Sequence, residues 1–152
     1  MYGDPHLHPQ AETYFGNVNT YGPRSCYDEG KRAVETIIRE YHLRRNVQTR
    51  IARIFNTYGP RMREDDGRVV STFIVEALQG GDLTVFGDGM QTRSFCFYED
   101  MIAGLMALMA APPGLDRPVN LGNPDEHTVL GLAKRVIRMT GANVNIRHLE
   151  LP

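Results

Sequence analysis

The hydrophobic positions of the chain follow two periods in alternation, one typical of helices and one typical of strands. A first helix is predicted from about residue 24 to residue 45, because apolar side chains recur there at i, i+3, i+4 and i+7. The members of this apolar stripe are Val34, Ile37, Ile38 and Tyr41. The stretch 47–55 follows, and its apolar side chains predict a buried strand. Those side chains belong to Ile51, Ala52, Ile54 and Phe55.

Three further helices are predicted downstream, each with one apolar face. They cover about residues 69–78, 99–110 and 129–140. The residues expected to be buried are Val70, Phe73, Ile74 and Ala77 in the first, Ile102, Leu105, Met106 and Met109 in the second, and Val129, Leu132, Ala133, Val136 and Ile137 in the third. The last helix is bounded by Thr128, a typical N-cap, and by Gly141, a typical terminator.

Short strands and turns are predicted between these helices. The strands cover about residues 83–86, 119–121 and 144–149. The opening, from Tyr2 to about Pro23, is rich in Gly, Pro, Asn and His and is expected to form a long loop. Because helices alternate with strands, the fold class is predicted to be α/β.

Composition and charge exclude several classes of protein. The net charge of −1 argues against a general nucleic-acid binder. Between Arg24 and Arg68, however, 11 Lys and Arg residues stand against 7 Asp and Glu residues. Most of these basic residues are expected to be solvated on a helix face. A few are expected to bind an anionic ligand such as a diphosphate.

Histidines and cysteines do not have the spacing of a metal site. His6 and His8 lie in the opening loop with no third ligand near them in sequence. Cys26 and Cys96 are far apart, which is typical of reduced thiols in a cytosol-like compartment. We therefore expect no metal and a cytoplasmic location, with a Golgi-anchored longer form left open.

Tyr27 and Lys31 lie four residues apart and therefore share one face of the first helix. A phenol with an ordinary pKa near 10 is a poor base at neutral pH, and a nearby ammonium favours the phenolate. Such a pair can take a proton from a hydroxyl group. Considered alone, an exposed structural pair explains this spacing more often than catalysis does.

Two turns carry further candidate residues. Asn56 follows the strand 47–55 at its carboxyl end, where open α/β sheets place their ligands. Farther on, a strand leads into Phe86, a glycine-rich turn and Arg93. The glycines let the backbone approach a flat ring closely, and an arginine fork suits phosphate oxygens.

Together these motifs resemble the extended short-chain dehydrogenase/reductase family, the NAD-dependent epimerases and dehydratases of nucleotide sugars. Within that family the likeness is strongest to the decarboxylases of UDP-glucuronate, and it runs from Tyr2 almost to the end of the chain. The motifs that carry it are Tyr27-Asp28-Glu29-Gly30-Lys31-Arg32, the stretch 53–62, Asp66-Gly67-Arg68-Val69-Val70-Ser71, and 120–124 with 126–128. Related dehydratases usually carry Ser-Lys and Asn-Asn-Tyr-Gly-Pro where this chain has Gly30-Lys31 and Asn56-Thr57-Tyr58-Gly59-Pro60.

The resemblance implies a role for individual residues. The family residue that matches Tyr27 is the catalytic base, and the one that matches Lys31 lowers its pKa and holds the nicotinamide ribose. The resemblance also gives Arg93 a catalytic role beside the diphosphate, and gives NAD contacts to Tyr27, Lys31 and Arg68. The substrate-binding residues that it implies are Asn56, Arg68, Val69, Val70, Ser71, Phe73, Phe86, Gly87, Gln91 and Arg93.

The reaction implied is the decarboxylation of UDP-glucuronate to UDP-xylose, with NAD oxidising the sugar at carbon 4 and then returning the hydride. The implied partner is therefore a UDP-sugar. Three alternatives stay open: a dTDP-glucose 4,6-dehydratase, a UDP-sugar 4-epimerase, and a non-catalytic subunit that binds a nucleotide sugar.

Two features of the family are absent from the sequence. It contains no Gly-x-x-Gly-x-x-Gly turn to seat the NAD pyrophosphate, and no Ser/Thr and Glu before Tyr2-Gly3-Asp4-Pro5. We therefore expect an incomplete chain, in which 1–62 ends a Rossmann-like doubly wound domain and 63–152 is mostly a small nucleotide-sugar-binding α/β subdomain. The strand near 50–55 should then have an exposed edge, and the full-length form is expected to be a homodimer.

Overall fold

Helices and short strands alternate through residues 1–150, the part of the chain that the computed structural model describes. The helices are α1 (Ser25–Arg45), α2 (Val69–Leu78), α3 (Tyr98–Met109) and α4 (Val129–Thr140). The strands are β1 (Ile51–Ile54), β2 (Thr57–Tyr58), β3 (Leu83–Phe86), β4 (Thr92–Ser94), β5 (Cys96–Phe97), β6 (Pro118–Leu121), β7 (Glu126–Thr128) and β8 (Ile146–Leu149). The α/β class is thereby confirmed.

Each strand pairs with one other strand, which gives four two-stranded sheets in the described residues. β1 lies parallel to β6, β2 to β5 and β3 to β8, whereas β4 and β7 are antiparallel. Within the described residues β1 has β6 as its one neighbour, so its other edge is unpaired, in agreement with the predicted exposed edge. The antiparallel register of β4 and β7 sets Arg93 opposite His127.

The chain divides into two compact units. Unit 1 consists of residues 1–54 and 102–121, and unit 2 consists of residues 55–101 together with those from 122 onward. Unit 1 contains α1, β1, β6 and most of α3. Unit 2 contains α2, α4 and the other six strands.

A hydrophobic core fills unit 2 between α2, β3 and α4. Its buried members are Phe73, Ala77, Leu83, Val85, Val129, Ala133 and Val136. The two ends of α4 form as predicted: the Thr128 hydroxyl accepts from Gly131 N at 2.9 Å, and Gly141 closes the helix in the left-handed region at φ 67°. The predicted inward face of α4 is confirmed, because Val129, Ala133 and Val136 are all buried.

The apolar stripe predicted on α1 is exposed. No residue of α1 is buried among those described, and Val34, Ile37 and Tyr41 are more than half exposed. The period of 3.6 residues identifies an apolar stripe but carries no information on which element covers it. The stripe on α1 therefore lies on the surface of unit 1 as described.

The prediction of which face of α3 is buried is wrong. Ile102, Met106 and Met109 are more than half exposed, while Met101 and Leu108 are buried. Each buried residue stands one position before a predicted one, which corresponds to a rotation of about 100° around the helix axis. Apolar residues occupy both neighbouring faces of α3, so the period alone selected the wrong one.

Two single residues depart from their predicted burial in the same way. Ile74 of α2 and Ile54 of β1 are exposed, whereas Phe73 and Ile51 of the same elements are buried. None of the four helices in the described chain is both long and apolar enough to cross a membrane.

Candidate active site

Tyr27 and Lys31 lie in the first two turns of α1, on an accessible face of unit 1. The Lys31 Nζ is 5.4 Å from the centroid of the Tyr27 ring, and the Arg24 guanidinium is 5.7 Å from it on the preceding turn. Tyr27 is 56% exposed. A Cβ built on Gly30 would meet no atom within 4 Å, so the helix surface beside the pair is open. Tyr27 and Lys31 share one face of α1, as the sequence predicts, and open space lies beside them.

A second group of polar residues in unit 1 centres on Arg53 of β1. Its Nε and Nη2 donate to the two carboxylate oxygens of Glu35 at 2.8 Å each. Its Nη1 donates to the Tyr2 hydroxyl at 2.7 Å and to the Glu12 carbonyl at 3.0 Å. The guanidinium also lies 4.9 Å from the centroid of the Tyr2 ring. The hydrogen bonds from Arg53 to Glu35 hold the pKa of Arg53 above its usual range.

Asn120 of β6 extends this group to the opening loop. The Tyr2 hydroxyl donates to the Asn120 side-chain oxygen at 2.8 Å, and the Asn120 amide donates to the Gln10 carbonyl at 2.8 Å. The backbone N–H of Asn120 donates to the Glu12 carboxylate at 2.9 Å and is the main cause of its lowered pKa. We call Tyr2, Glu12, Glu35, Arg53 and Asn120 the Arg53 network.

Sequence reasoning missed the Arg53 network. One local signal was present, because Arg53 is a charged residue inside an otherwise apolar strand, and such a residue needs partners when it is buried. The sequence did not show that Glu35 is the partner of Arg53, because the two residues are 18 positions apart along the chain.

The other predicted site residues all lie in unit 2. Asn56 precedes β2; its side-chain amide donates to the Ser94 carbonyl at 3.3 Å, and its own carbonyl accepts from Cys96 N at 2.8 Å. The Asn56 side chain is exposed. Asn56 is therefore hydrogen-bonded to β4, the strand that carries Arg93, and to the following strand β5.

The loop before α2 is organised by Asp66. Its Oδ1 accepts from Arg68 N at 2.9 Å and lies 2.7 Å from the Ser71 hydroxyl. These donors, the Arg68 N–H first, lower the pKa of the Asp66 carboxyl. The Arg68 side chain is 67% exposed, and its Nε lies 3.4 Å from the Asp66 Oδ2. Ser71 is buried.

Phe73 is the most deeply buried of the predicted site residues on α2. Its side chain is 1% exposed and belongs to the core of unit 2. It anchors α2 in that core, so any ligand contact by Phe73 requires a change of this packing.

The turn after β3 holds Phe86, Gly87 and Gln91 in one arrangement. The Gln91 side-chain amide donates to the Phe86 carbonyl at 3.1 Å, and Gly87 N donates to the Leu149 carbonyl at 2.8 Å. Gly89 has φ +72°, and a Cβ there would lie 2.8 Å from a Val85 methyl carbon. Only glycine therefore fits at the centre of this turn.

Arg93 projects from β4 with an exposed side chain. Its Nη1 donates to the Thr92 carbonyl at 2.7 Å. Residues directly opposite in an antiparallel pair point to the same face, so the His127 ring shares the face of Arg93. This face of unit 2 carries an arginine fork suited to phosphate oxygens.

A groove of about 380 Å³ lies in unit 2 between the loop 58–64 and α2. Val70 and Ser71 are the predicted site residues that line it, beside Ile74, Val75 and Phe97. Asn56, Phe86, Gly87, Gln91 and Arg93 are not among its lining residues. Within residues 1–150 no three His, Cys, Asp or Glu side chains are grouped as metal ligands.

Comparison with known proteins gives close relatives in sequence. The chain is 54% identical to UDP-glucuronic acid decarboxylase 5 of Arabidopsis thaliana over 99% of its own length and 43% of the relative's. It is 60% identical to UDP-glucuronic acid decarboxylase 2 of the same plant, over 96% of the chain and 32% of the relative. The chain thus spans less than half the length of these curated relatives.

Comparison with solved structures gives proteins of the same fold. UDP-glucose 4-epimerase of Thermotoga maritima superposes on 99% of the chain and 47% of its own length with a TM-score of 0.88 at 23% identity, which shows the fold alone. UDP-glucuronic acid 4-epimerase of Bacillus cereus, solved with UDP-glucuronic acid and NAD, matches 85% of the chain and 41% of its own with a TM-score of 0.72 at 28% identity. The model of the NAD dependent epimerase/dehydratase family matches residues 1–122, and the chain belongs to that family.

Proposed function

We propose that the protein acts in the decarboxylation of UDP-glucuronate to UDP-xylose, with NAD as cofactor and Tyr27 as the proton-transferring residue. The observation that carries this proposal is the exposed Tyr27–Lys31 pair on α1, in a chain 54% identical over nearly its whole length to a UDP-glucuronic acid decarboxylase.

The residues on α1 fit the nicotinamide and ribose end of NAD. The Lys31 ammonium offers three donors for ribose hydroxyls, and the Tyr27 phenol can both donate and accept. Because Gly30 has no side chain and faces open space, a flat ring can approach the helix there. We assign Arg68 a further contact with the anionic cofactor, on its exposed guanidinium. When bound, NAD supplies the oxidation at carbon 4 that turns the sugar acid into a β-keto acid able to lose carbon dioxide.

Tyr27 would hold and move one proton. As the phenolate, Tyr27 takes the proton of the hydroxyl at carbon 4 and later returns it to the product, which regenerates the phenolate. Lys31 lies over the same ring, so its positive charge stabilises the negative charge of the phenolate before the proton arrives and after it leaves. Both side chains are exposed and can therefore reach a bound sugar.

The residues of unit 2 would bind the nucleotide sugar. We assign Arg93 and Arg68 to the diphosphate, because each has an exposed guanidinium. Asn56 would bind the sugar diphosphate through its amide. Phe86 and Gly87 would lie against uracil, since the Phe86 side chain is 43% exposed and Gly87 adds no side chain beside it.

A homodimer is part of the proposal. The exposed apolar stripe of Val34, Ile37 and Tyr41 on α1 supports it, because a stripe of this size on a helix is normally covered.

Product analysis tests the proposed reaction. The protein is incubated with NAD and UDP-glucuronate labelled with ¹³C at the carboxyl group, and both carbon dioxide and the nucleotide sugar are measured. Release of labelled carbon dioxide in equal amount to UDP-xylose is expected. Epimerised UDP-sugar that keeps its carboxyl label would instead favour a 4-epimerase, the activity named for the Bacillus cereus neighbour. Binding of UDP without any product would favour a non-catalytic subunit.

A further inference from the structure

We infer that Arg53 and Glu35 are positioning residues, whose ion pair sets the rotation of α1 and thereby the place of the Tyr27 phenol. The inference rests on the proposed function, because it assigns these two residues a part in the same reaction.

The geometry of α1 links Glu35 to the candidate base. Tyr27, Lys31 and Glu35 are spaced four residues apart, so each lies one turn farther along α1 and about 40° around its axis from the one before. Glu35 stands eight residues after Tyr27, a rise of about 12 Å along the axis. Glu35 is therefore two turns away from the Tyr27 phenol, and its influence on that phenol runs through the helix.

The contacts of Arg53 fix the helix from one side. Its fork donates two parallel hydrogen bonds to Glu35, and a bidentate pair of this kind restricts both distance and orientation. The two side chains are 12% and 19% exposed, so water screens them little. A rotation of α1 would break both bonds together.

The same guanidinium anchors the elements around the helix. Nη1 binds the Tyr2 hydroxyl and the Glu12 carbonyl of the opening loop, while Tyr2 in turn donates to Asn120 of β6. The loop, β1, β6 and α1 thus meet at one side chain. A lysine at position 53 could hold only part of this arrangement, because its ammonium lacks the planar fork.

An exposed ion pair on the same helix provides the matched control. Arg44 and Glu40 lie 2.6 Å apart with 79% and 47% of their side chains exposed, and they contact no other element through this pair. Glu40→Gln therefore removes a charge and an ion pair from α1 without touching the Arg53 network.

The test compares wild type, Glu35→Gln, Arg53→Lys, the double variant and Glu40→Gln. In assays with NAD and UDP-glucuronate, normalised to the folded fraction from circular dichroism, we expect kcat of Glu35→Gln and Arg53→Lys to fall by about 10²-fold, the effect of a 1 Å misplacement. KM should change by less than about twofold, because the proposed substrate contacts lie in unit 2. The kcat of the double variant should fall no further than that of either single variant, as expected of one coupled pair. Glu40→Gln should keep the wild-type kcat.

A spectroscopic arm makes the test independent of turnover. The protein is labelled with ¹³C at tyrosine Cζ, and the Tyr27 resonance is assigned by its loss in Tyr27→Phe. We expect Arg53→Lys and Glu35→Gln to move this resonance by more than its linewidth, and Glu40→Gln to leave it in place. Arg53→Lys keeps the positive charge and serves alone if Glu35→Gln does not fold.

Two results would overturn the inference. One is an unmoved Tyr27 resonance in a folded Arg53→Lys protein. The other is a wild-type kcat in either variant after normalisation. Absence of turnover in the wild type would overturn the proposed function instead, and the resonance would then decide the positioning role by itself.

Discussion

Arg53 and Glu35 are joined by two hydrogen bonds of 2.8 Å each, one from Nε and one from Nη2, across 18 residues of sequence. Both side chains are largely buried, so loss of the arginine leaves a carboxylate with little water and no fork to bind it. The pair is therefore expected to stabilise unit 1 as well as to orient α1.

Arg53→Ala is expected to lower the free energy of unfolding by about 3 kcal/mol, the low end of the range for breaking a buried pair. Arg44→Ala, which removes the exposed pair with Glu40, should cost no more than about 0.5 kcal/mol. Urea unfolding followed by circular dichroism measures both values. Equal losses in the two variants would show that burial of the Arg53 pair adds nothing to stability.

Gly89→Ala is expected to destabilise unit 2 and to weaken UDP binding. The new Cβ would lie 2.8 Å from a Val85 methyl carbon, at a residue with φ +72°. Gly67→Ala is the matched control, because Gly67 has φ +73° but no atom within 4 Å of its Cβ position. The free energy of unfolding of the Gly67→Ala control should fall by about 1 kcal/mol because of backbone strain, and that of Gly89→Ala should fall further. Thermal melts and UDP titrations compare the two variants, and a Gly89→Ala protein no less stable than the control would contradict the close packing of the turn.

Asp66 should make the stability of unit 2 depend on pH in the acid range. Its folded pKa is lowered below the ordinary 3.8, chiefly by the Arg68 N–H and then by the Ser71 hydroxyl. The stabilisation is therefore complete above about pH 4 and is lost as the pH falls through the lowered pKa. Asp66→Asn should reduce this acid dependence, whereas Asp65→Asn, an exposed neighbour, should keep it. Unfolding midpoints between about pH 5 and pH 2 supply the measurement, and identical profiles for wild type and Asp66→Asn would refute the assignment.

Ile37→Glu is expected to convert the proposed homodimer into monomer, because it places a charge in the exposed apolar stripe of α1. Arg39→Glu changes charge on another face of the same helix and should leave the dimer intact. Sedimentation equilibrium distinguishes the two masses. A wild-type protein that is monomeric at all concentrations would contradict the dimer itself.

Elements with strong local signals were predictable. The bounds of α2 and β3 agree with the prediction residue for residue, and Thr128 and Gly141 were identified as the boundaries of α4. At α4 the capping chemistry of Thr128 and Gly141 fixes both ends, and the sequence displays it directly.

Burial and long-range pairing were not predictable in the same way. The stripe on α1 has the helical period, yet Val34 and Ile37 are exposed. Periodicity identifies an apolar face but does not say which surface, if any, covers it. The partners of Arg53 come from α1 and the opening loop, and no local pattern links those segments. For the site, sequence reasoning found Tyr27 and Lys31 on one accessible face but not the network that holds their helix.

The most direct test of the central claim is a comparison of Tyr27→Phe with wild type in two assays on the same preparations, carbon dioxide release from carboxyl-labelled UDP-glucuronate and binding of UDP. Phenylalanine keeps the ring but removes the proton that the proposed mechanism moves. We predict that release falls by about 10²- to 10⁴-fold, the usual contribution of a general acid–base residue, while the Kd for UDP stays within about twofold. Release at the wild-type rate from Tyr27→Phe would contradict the role of Tyr27 and, with it, the proposed mechanism.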